Sequence, residues 1–335
     1  MLDIVSLLKD WQGIGSVSGA EGALGARIAA LAAPYADEIT TDALGNLIVR
    51  QKGDGPRVML SAHMDAVGLM ATHIDEAGFV RCALIGAASR RGLTGAPVRF
   101  DSGVLGVVAY DEKVALKDRK AEHFYIDVGA ADRAEALTRV AVGDRASYAG
   151  GLFEMGGGYV AGPYLDDRLG CAVLLQALSR TRGAPHDLYF VFSVQEEVGC
   201  RGARTAAFAI DPAWALAVDV TGAGDVPEAL GKGHCRLGGG AAVKLMDGSM
   251  IAHPTVVRHL EETAQAEGVR WQSVAASAGG TDAGPIHLSR GGVPSGGVGI
   301  PLRYTHSPTE VAALADADAA AALVTAAVGK PLAFR

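Results

Sequence analysis

Apolar and polar positions change texture twice along the chain. Residues 1–10 read as an amphipathic helix carrying acidic side chains. Leu24, Ile28 and Leu31 then recur at helical spacing toward Ala33. The preceding Ser18-Gly19-Ala20-Glu21 has the form of a capping box, in which Ser18 caps the first amides and Glu21 reaches back. Residues 39–42 and 47–50 flank Gly45-Asn46 as a hairpin, and 57–62 form a buried strand that stops at His63-Met64-Asp65. From about 70 to 162 the runs shorten. Residues 72–74 and 79–81 make a hairpin, 97–100, 104–109 and 124–128 read as strands, and 131–137 as a short helix. This is the texture of a small β-rich unit set into an α/β chain.

The α/β texture returns at Leu165-Asp166-Asp167-Arg168. Residues 169–180 predict a helix with Val173, Leu174, Ala177 and Leu178 on one face. Six of the seven residues from 188 to 194 are apolar, the pattern of a strand buried on both faces. It runs straight into Gln195-Glu196-Glu197. Strand alternation would send the two carboxylates to opposite faces, and Gly199 and Gly202 then allow a turn into a short helix over 203–208. Residues 213–218 form another buried strand, ending at Asp219. Pro254 starts a helix with Val257, Leu260 and Ala264 inward and Gly268 as terminator. Residues 277–284 are a Gly-rich loop without the Gly-Lys-Ser/Thr end of a phosphate loop. A strand over 294–300 feeds His306 into a loop, and Asp316 or Asp318 caps a final Ala-rich helix.

Composition narrows the classes. With 335 residues, 49% hydrophobic and 20% charged, the chain can build a large core over roughly two domains. A net charge of −7 without a basic cluster argues against nucleic acid. The four cysteines are far apart and form no Cys-x-x-Cys pair, which argues against a zinc finger or a disulfide framework and suits a reducing compartment. Residues 1–10 lack the basic start and apolar run of a signal peptide, and no apolar stretch reaches the roughly 20 residues that span a bilayer. The expectation is a cytoplasmic protein that does not engage membranes.

Each polar cluster has an ordinary explanation on its own: a charged turn for Glu196-Glu197, a surface pair for His63 and Asp65, an N-cap for Asp166-Asp167. Together they are harder to dismiss. His63, Asp166, Glu196, Glu197, Asp219 and His306 all follow predicted strands or open a helix beside one, and parallel strands bring their carboxyl ends to one crevice. Two imidazoles and several carboxylates in one crevice call for cations. A pair of divalent ions sharing a carboxylate would satisfy them, and mixed nitrogen and oxygen donors suit zinc, cobalt or manganese rather than calcium.

Six ordered motifs carry a resemblance over nearly the whole length: Ala62-His63-Met64-Asp65, Leu165-Asp166-Asp167-Arg168, Gln195-Glu196-Glu197-Val198-Gly199, Val218-Asp219-Val220-Thr221, Gly279-Gly280-Thr281-Asp282 and Arg303-Tyr304-Thr305-His306-Ser307-Pro308. The set resembles the TET-type di-metal aminopeptidases, which include bacterial glutamyl aminopeptidases and some members labelled endoglucanase. The resemblance implies an α/β fold of zinc-peptidase type. In it a mixed sheet flanked by helices comes from 1–69 and 162–335, and 70–161 is an inserted β-rich dimerisation unit. It implies two divalent metals, zinc first and cobalt or manganese as the other candidates. Asp166 would bridge them, His63 and Asp219 would hold one, and Glu197 and His306 the other. Glu196 would be the general base and Asp65 the partner orienting His63. It also implies a cis Asp166–Asp167 peptide, short peptides as substrates, and twelve subunits assembled as a tetrahedron from dimers. Ala66-Val67 stands where many relatives have Glu-Ile, and Gly233-His234-Cys235 where Gly-Pro is common.

The competing readings are another di-metal amidohydrolase on this fold (a carboxypeptidase or deacylase), a glycosidase using the Glu pair, and a non-catalytic scaffold. A glycosidase leaves both histidines and Asp219 without a task. An intact ligand set argues against the scaffold. Ser193 and Cys200 have no partner base to make them nucleophiles.

Overall fold

The continuous apolar runs become the parallel centre of one sheet, since a strand covered on both faces has no polar side to present. The computed structural model describes residues 2–115, 118, 120–227 and 235–334. It begins with α1 (Ile4–Asp10), α2 (Gly22–Ala32), β1 (Glu38–Thr41), β2 (Leu47–Gln51) and β3 (Arg57–His63). The insertion supplies β4 (Gly68–Ile74), β5 (Val80–Ile85), α3 (Arg90–Leu93), β6 (Pro97–Phe100), β7 (Leu105–Tyr110), β8 (Phe124–Asp127), α4 (Arg133–Leu137) and β9 (Arg145–Tyr148). After it come β10 (Phe153–Gly156), β11 (Tyr159–Gly162), α5 (Leu165–Arg180), β12 (Asp187–Ser193), α6 (Arg201–Ile210) and β13 (Trp214–Gly222). The chain closes with β14 (Ala241–Met246), α7 (Pro254–Glu267), β15 (Trp271–Ala275), α8 (Ala283–His287), β16 (Ser295–Arg303), β17 (Glu310–Ala313) and α9 (Leu314–Val328).

Among the described residues the main sheet has eleven strands, ordered β1-β2-β12-β3-β13-β16-β17-β11-β10, with β14 on β16 and β15 beyond it. Its centre, β12-β3-β13-β16, is parallel, and antiparallel strands flank it on both sides. The fold is therefore the mixed α/β sheet that the sequence implied. Period-two alternation sorts the side chains. Val58, Leu60, Phe190 and Phe192 join the core under α1, α2, α5, α7 and α9, while Met59 and Val191 pack with α6 and α8. Helix α5 is buried on every side rather than on one stripe, because it lies between the sheet and neighbouring helices.

Strands β4 to β9 close into a separate barrel in the order β4-β5-β8-β7-β6-β9, around Leu69, Val98, Phe100, Phe124 and Ile126. Its strands run from residue 68 to residue 148. β10 and β11 pair instead into the main sheet through β17, whereas the hydrophobic texture extends the inserted unit to residue 161. Residues 153–162 are short and β-rich like the barrel strands, and only the pairing of Tyr159 with Ala313 tells them apart.

Two expected caps do not form. Glu21 sits before α2 without a side-chain cap; its carboxylate accepts from Gly19 N and Gln195 N, and Ser18 donates to Asp65. Asp316 and Asp318 leave the start of α9 uncapped, and Asp316 instead accepts from Gly238 N and Gly240 N at 2.7 Å each. In both places partners from distant segments, the Asp65 carboxylate and Gln195 N for α2 and the Gly238 and Gly240 amides for α9, engage the side chains expected to cap the helix. Among the described residues no helix is long and apolar enough to cross a membrane. Gly233 and His234 lie outside the described residues.

Buried Asn46 ties the first hairpin to the strand that leads into the site. Its Oδ1 accepts from Val194 N and its Nδ2 donates to the Gly202 carbonyl, at 3.0 Å each. A Cβ at Gly202 would collide with Asn46 Oδ1 and lie 2.6 Å from the Val194 carbonyl. Gly202→Ala is expected to cost about 1–3 kcal/mol through this overlap. A denaturation midpoint equal to that of the wild type would refute the account.

Candidate functional site

Strands β3, β12, β13 and β16 end on the same edge of the sheet, and the residues that follow or close them line a crevice of about 540 Å³. His63 closes β3, Glu196 and Glu197 follow β12, Asp219 lies near the end of β13, His306 follows β16, and Asp166 opens α5. All six line the crevice. His63 Nε2 is 3.1 Å from Asp166 Oδ1, 3.8 Å from Asp219 Oδ1 and 4.0 Å from Glu196 Oε2. His306 Nε2 is 3.2 Å from Asp166 Oδ2 and 3.1 Å from Glu197 Oε2. Residues 140 or more positions apart in some cases thus meet at one point, with Asp166 between the two imidazoles. The Asp166–Asp167 peptide is cis, as the resemblance implied.

The two glutamates do not obey strand alternation. β12 ends at Ser193, and Gln195 adopts a left-handed backbone with φ 57°. The turn that follows is closed by Gly199 N and Cys200 N, each donating to the Glu196 carbonyl at 2.8 Å. Both carboxylates therefore enter the same crevice, one on the His63 side and the other on the His306 side. Buried Asp65 organises this turn. Its Oδ1 accepts from Glu196 N at 2.8 Å, and its Oδ2 accepts from Glu197 N at 3.1 Å and Ser18 Oγ at 2.6 Å. His63 Nδ1 lies 2.9 Å from the Asp65 carbonyl and 3.6 Å from its carboxylate. Asp65 therefore orients His63 mainly through its backbone and spends its side chain on the glutamates.

The electrostatics follow from burial and crowding. Burial opposes a proton on His63, but Asp166, Asp219 and Asp65 outweigh it and hold its pKa well above the usual imidazole value. Burial likewise opposes one on His306, yet Asp166 and Glu197 push its pKa up to about 11. Asp166 is raised by burial and lowered further by the two imidazoles, ending below the ordinary carboxylate range. Glu196 is pushed well up, first by burial and then by Asp219, Asp282 and Glu197, with His63 opposing. Two imidazoles thus face four carboxylates in a nearly dry site, an arrangement that demands positive charge.

Three supporting carboxylates carry no assigned role in the sequence reading. Glu310, 2% exposed, accepts from His306 N at 2.7 Å and Asp166 N at 3.1 Å, locking two donor segments to each other. Its signal was a charge opening the otherwise apolar run Val311-Ala312-Ala313. Asp167 accepts from Gly170 N at 2.9 Å and His63 N at 3.3 Å, and its carboxylate also falls within reach of His63 and Asp219. Asp282, in the Gly279-Gly280-Thr281-Asp282 motif, accepts from Ser61 Oγ at 2.5 Å and Ser193 Oγ at 2.6 Å. The insertion also reaches the site, since Ser89 N donates to the His306 carbonyl at 2.9 Å.

The donor set fits divalent cations. His63, Asp166 and Glu197 offer ligand atoms within 4.8 Å of one another, and so do His63, Asp167 and Asp219. Glu197 Oε1 is buried without a hydrogen-bond partner, an acceptor whose desolvation nothing else offsets. Imidazole with carboxylate is the chemistry of zinc, cobalt or manganese sites.

The chain is similar to known aminopeptidases over most of its length. The family model described as M42 glutamyl aminopeptidase matches residues 45–323. A protein of Acetivibrio thermocellus, provisionally named an aminopeptidase, is 44% identical over 327 residues, 97% of this chain and 98% of its own length. The structure of an aminopeptidase from the archaeon Desulfurococcus kamchatkensis matches with a TM-score of 0.94 at 36% identity, covering 98% of this chain and 95% of that one. The TET1 peptidase of Pyrococcus horikoshii, described as able to assemble into a tetrahedron or a large octahedral shell, matches with a TM-score of 0.87 at 28% identity, covering 97% and 98%.

Proposed function

Because the chain belongs to the M42 glutamyl aminopeptidase family, we propose that it removes N-terminal residues from short peptides, with two divalent cations in the crevice and Glu196 as general base. The observation that carries this reading is Asp166, whose two oxygens lie 3.1 Å from His63 Nε2 and 3.2 Å from His306 Nε2. One carboxylate facing two donor sets is what a bridging ligand requires. In this reading His63 and Asp219 hold one cation and Glu197 and His306 the other. Zinc is the first candidate, with cobalt and manganese equally suited by donor type. When bound, such a pair polarises the scissile carbonyl and brings the pKa of a water toward neutrality. Glu196 takes the proton of the attacking water on its carboxylate and returns it to the leaving amine. Asp65 keeps that carboxylate in place by accepting from Glu196 N, and Glu310 holds His306 against the start of α5.

The reading extends to assembly and compartment. The barrel of residues 68–148 would serve dimerisation, and twelve chains would close as a tetrahedron, in keeping with the similarity to the Pyrococcus peptidase. Cytoplasmic residence suits four cysteines that are all free.

The test uses a free peptide and its N-acetylated form, with native and chelator-dialysed enzyme. The free peptide should lose its first residue and the acetylated one should remain intact. Dialysis should lower turnover at least about a hundredfold, and zinc, cobalt or manganese should restore it. Cleavage of the acetylated peptide would move the chain to a carboxypeptidase or deacylase role, and full activity after complete metal removal would end the metal-dependent reading.

A further inference from the structure

We propose a third cation site, inhibitory and selective for thiophilic divalent ions such as cadmium or excess zinc, formed by Glu196, Cys200 and Asp282. Ligand atoms of these three side chains lie within 4.8 Å of one another, and the trio shares no member with the two groups built on His63. Asp282 is the independent sign of a ligand. It is 3% exposed, its Oδ2 is occupied by the hydroxyls of Ser61 and Ser193, and its Oδ1 is buried with no hydrogen-bond partner. A buried carboxylate oxygen left unpaired is a standing cost that a cation removes.

The fold assembles the other two donors on purpose-built backbone. The turn from Glu196 to Cys200 doubles back through the two amide bonds to the Glu196 carbonyl, and Cys200 sits in a left-handed conformation with φ 50°. This geometry folds the thiol over its neighbour, leaving Sγ 3.1 Å from Glu196 Oε1. Cys200 is half-buried and lines the crevice, so an ion entering from solvent can reach it. Cys171, by contrast, is fully buried and donates to the His63 carbonyl. One thiolate with two carboxylates discriminates toward zinc and cadmium and against magnesium and calcium. As the sulfur–cation bond forms, the thiol proton passes to solvent, and no oxidant or reductant is involved.

A cation held here occupies a lone pair of Glu196. Loss of turnover follows only if Glu196 is the general base proposed above; binding itself does not depend on that assignment. The experiment titrates cadmium chloride into the metal-loaded enzyme, recording the ultraviolet sulfur-to-cadmium charge-transfer band and turnover in parallel. The wild type should show a band that saturates at one added equivalent, with turnover falling along the same curve. Cys200→Ser and Cys200→Ala should lose the band, and the cadmium inhibition constant should rise at least about tenfold relative to each variant's own activity. Two substitutions guard against one that fails to fold, and circular dichroism identifies which variants remain native. Absence of the band in the wild type, its persistence in either native variant, or an unchanged inhibition constant would overturn the site. A band that saturates while turnover stays constant would keep the cation site but overturn its inhibitory role, and would remove Glu196 from the general-base role.

Discussion

Glu196→Gln lowers turnover by about 10²- to 10⁴-fold, the range a positioned general base contributes, while cation content, assembly and substrate binding stay near those of the wild type. The amide keeps the size of the carboxylate and its place on the turn, because the contacts that hold the turn are made by the backbone. Glu196 N donates to Asp65 and the Glu196 carbonyl receives Gly199 N and Cys200 N, and none of these involves the side chain. What the substitution removes is a proton acceptor. The measurement is kcat beside metal content by elemental analysis. A fall in both would mean that Glu196 acts as a ligand, and retention of near wild-type kcat would end its assignment.

Asp166→Asn is expected to cost more, because it touches both proposed cations at once. An amide offers one oxygen where the carboxylate offers two, and it carries no charge between imidazoles held 3.1 and 3.2 Å away. Bound divalent metal should fall below one equivalent per chain, and turnover should drop by at least about 10³-fold, the several kcal/mol that metal polarisation supplies. The buried environment sharpens this result. Asp166 is 5% exposed, so little water is available to replace the lost charge. Two tightly held cations with ordinary turnover in this variant would show that the bridging role belongs elsewhere, and Asp167 would then be the first residue to examine, being within reach of His63 and Asp219.

Particular residues show how far local pattern carries. The strand over 188–194 was plain because six apolar residues in seven leave no other element open, and the turn after it was marked by Gly199 and Gly202. The destination of the two glutamates was not plain. Alternation would have separated them, and the left-handed Gln195 puts both in the crevice. Ser18 and Glu21 had the spacing of a capping box, yet Asp65 and Gln195, distant in sequence, claimed their side chains. Glu310 drew no reading from its local sequence, and it is the tie between His306 and Asp166.

The sequence by itself determined the buried strands at the centre of the sheet, their apolar core and the imidazoles and carboxylates at their ends, because periodicity and residue chemistry are local properties carried by consecutive positions. The tertiary structure alone decided where the barrel closes, which way Glu196 and Glu197 face, and that Asp167, Asp282 and Glu310 support the crevice. Those outcomes rest on hydrogen bonds between segments as many as 221 positions apart. Each buried carboxylate settles on whichever unpaired donors the folded chain brings to it, and that competition exists only once the sheet has formed.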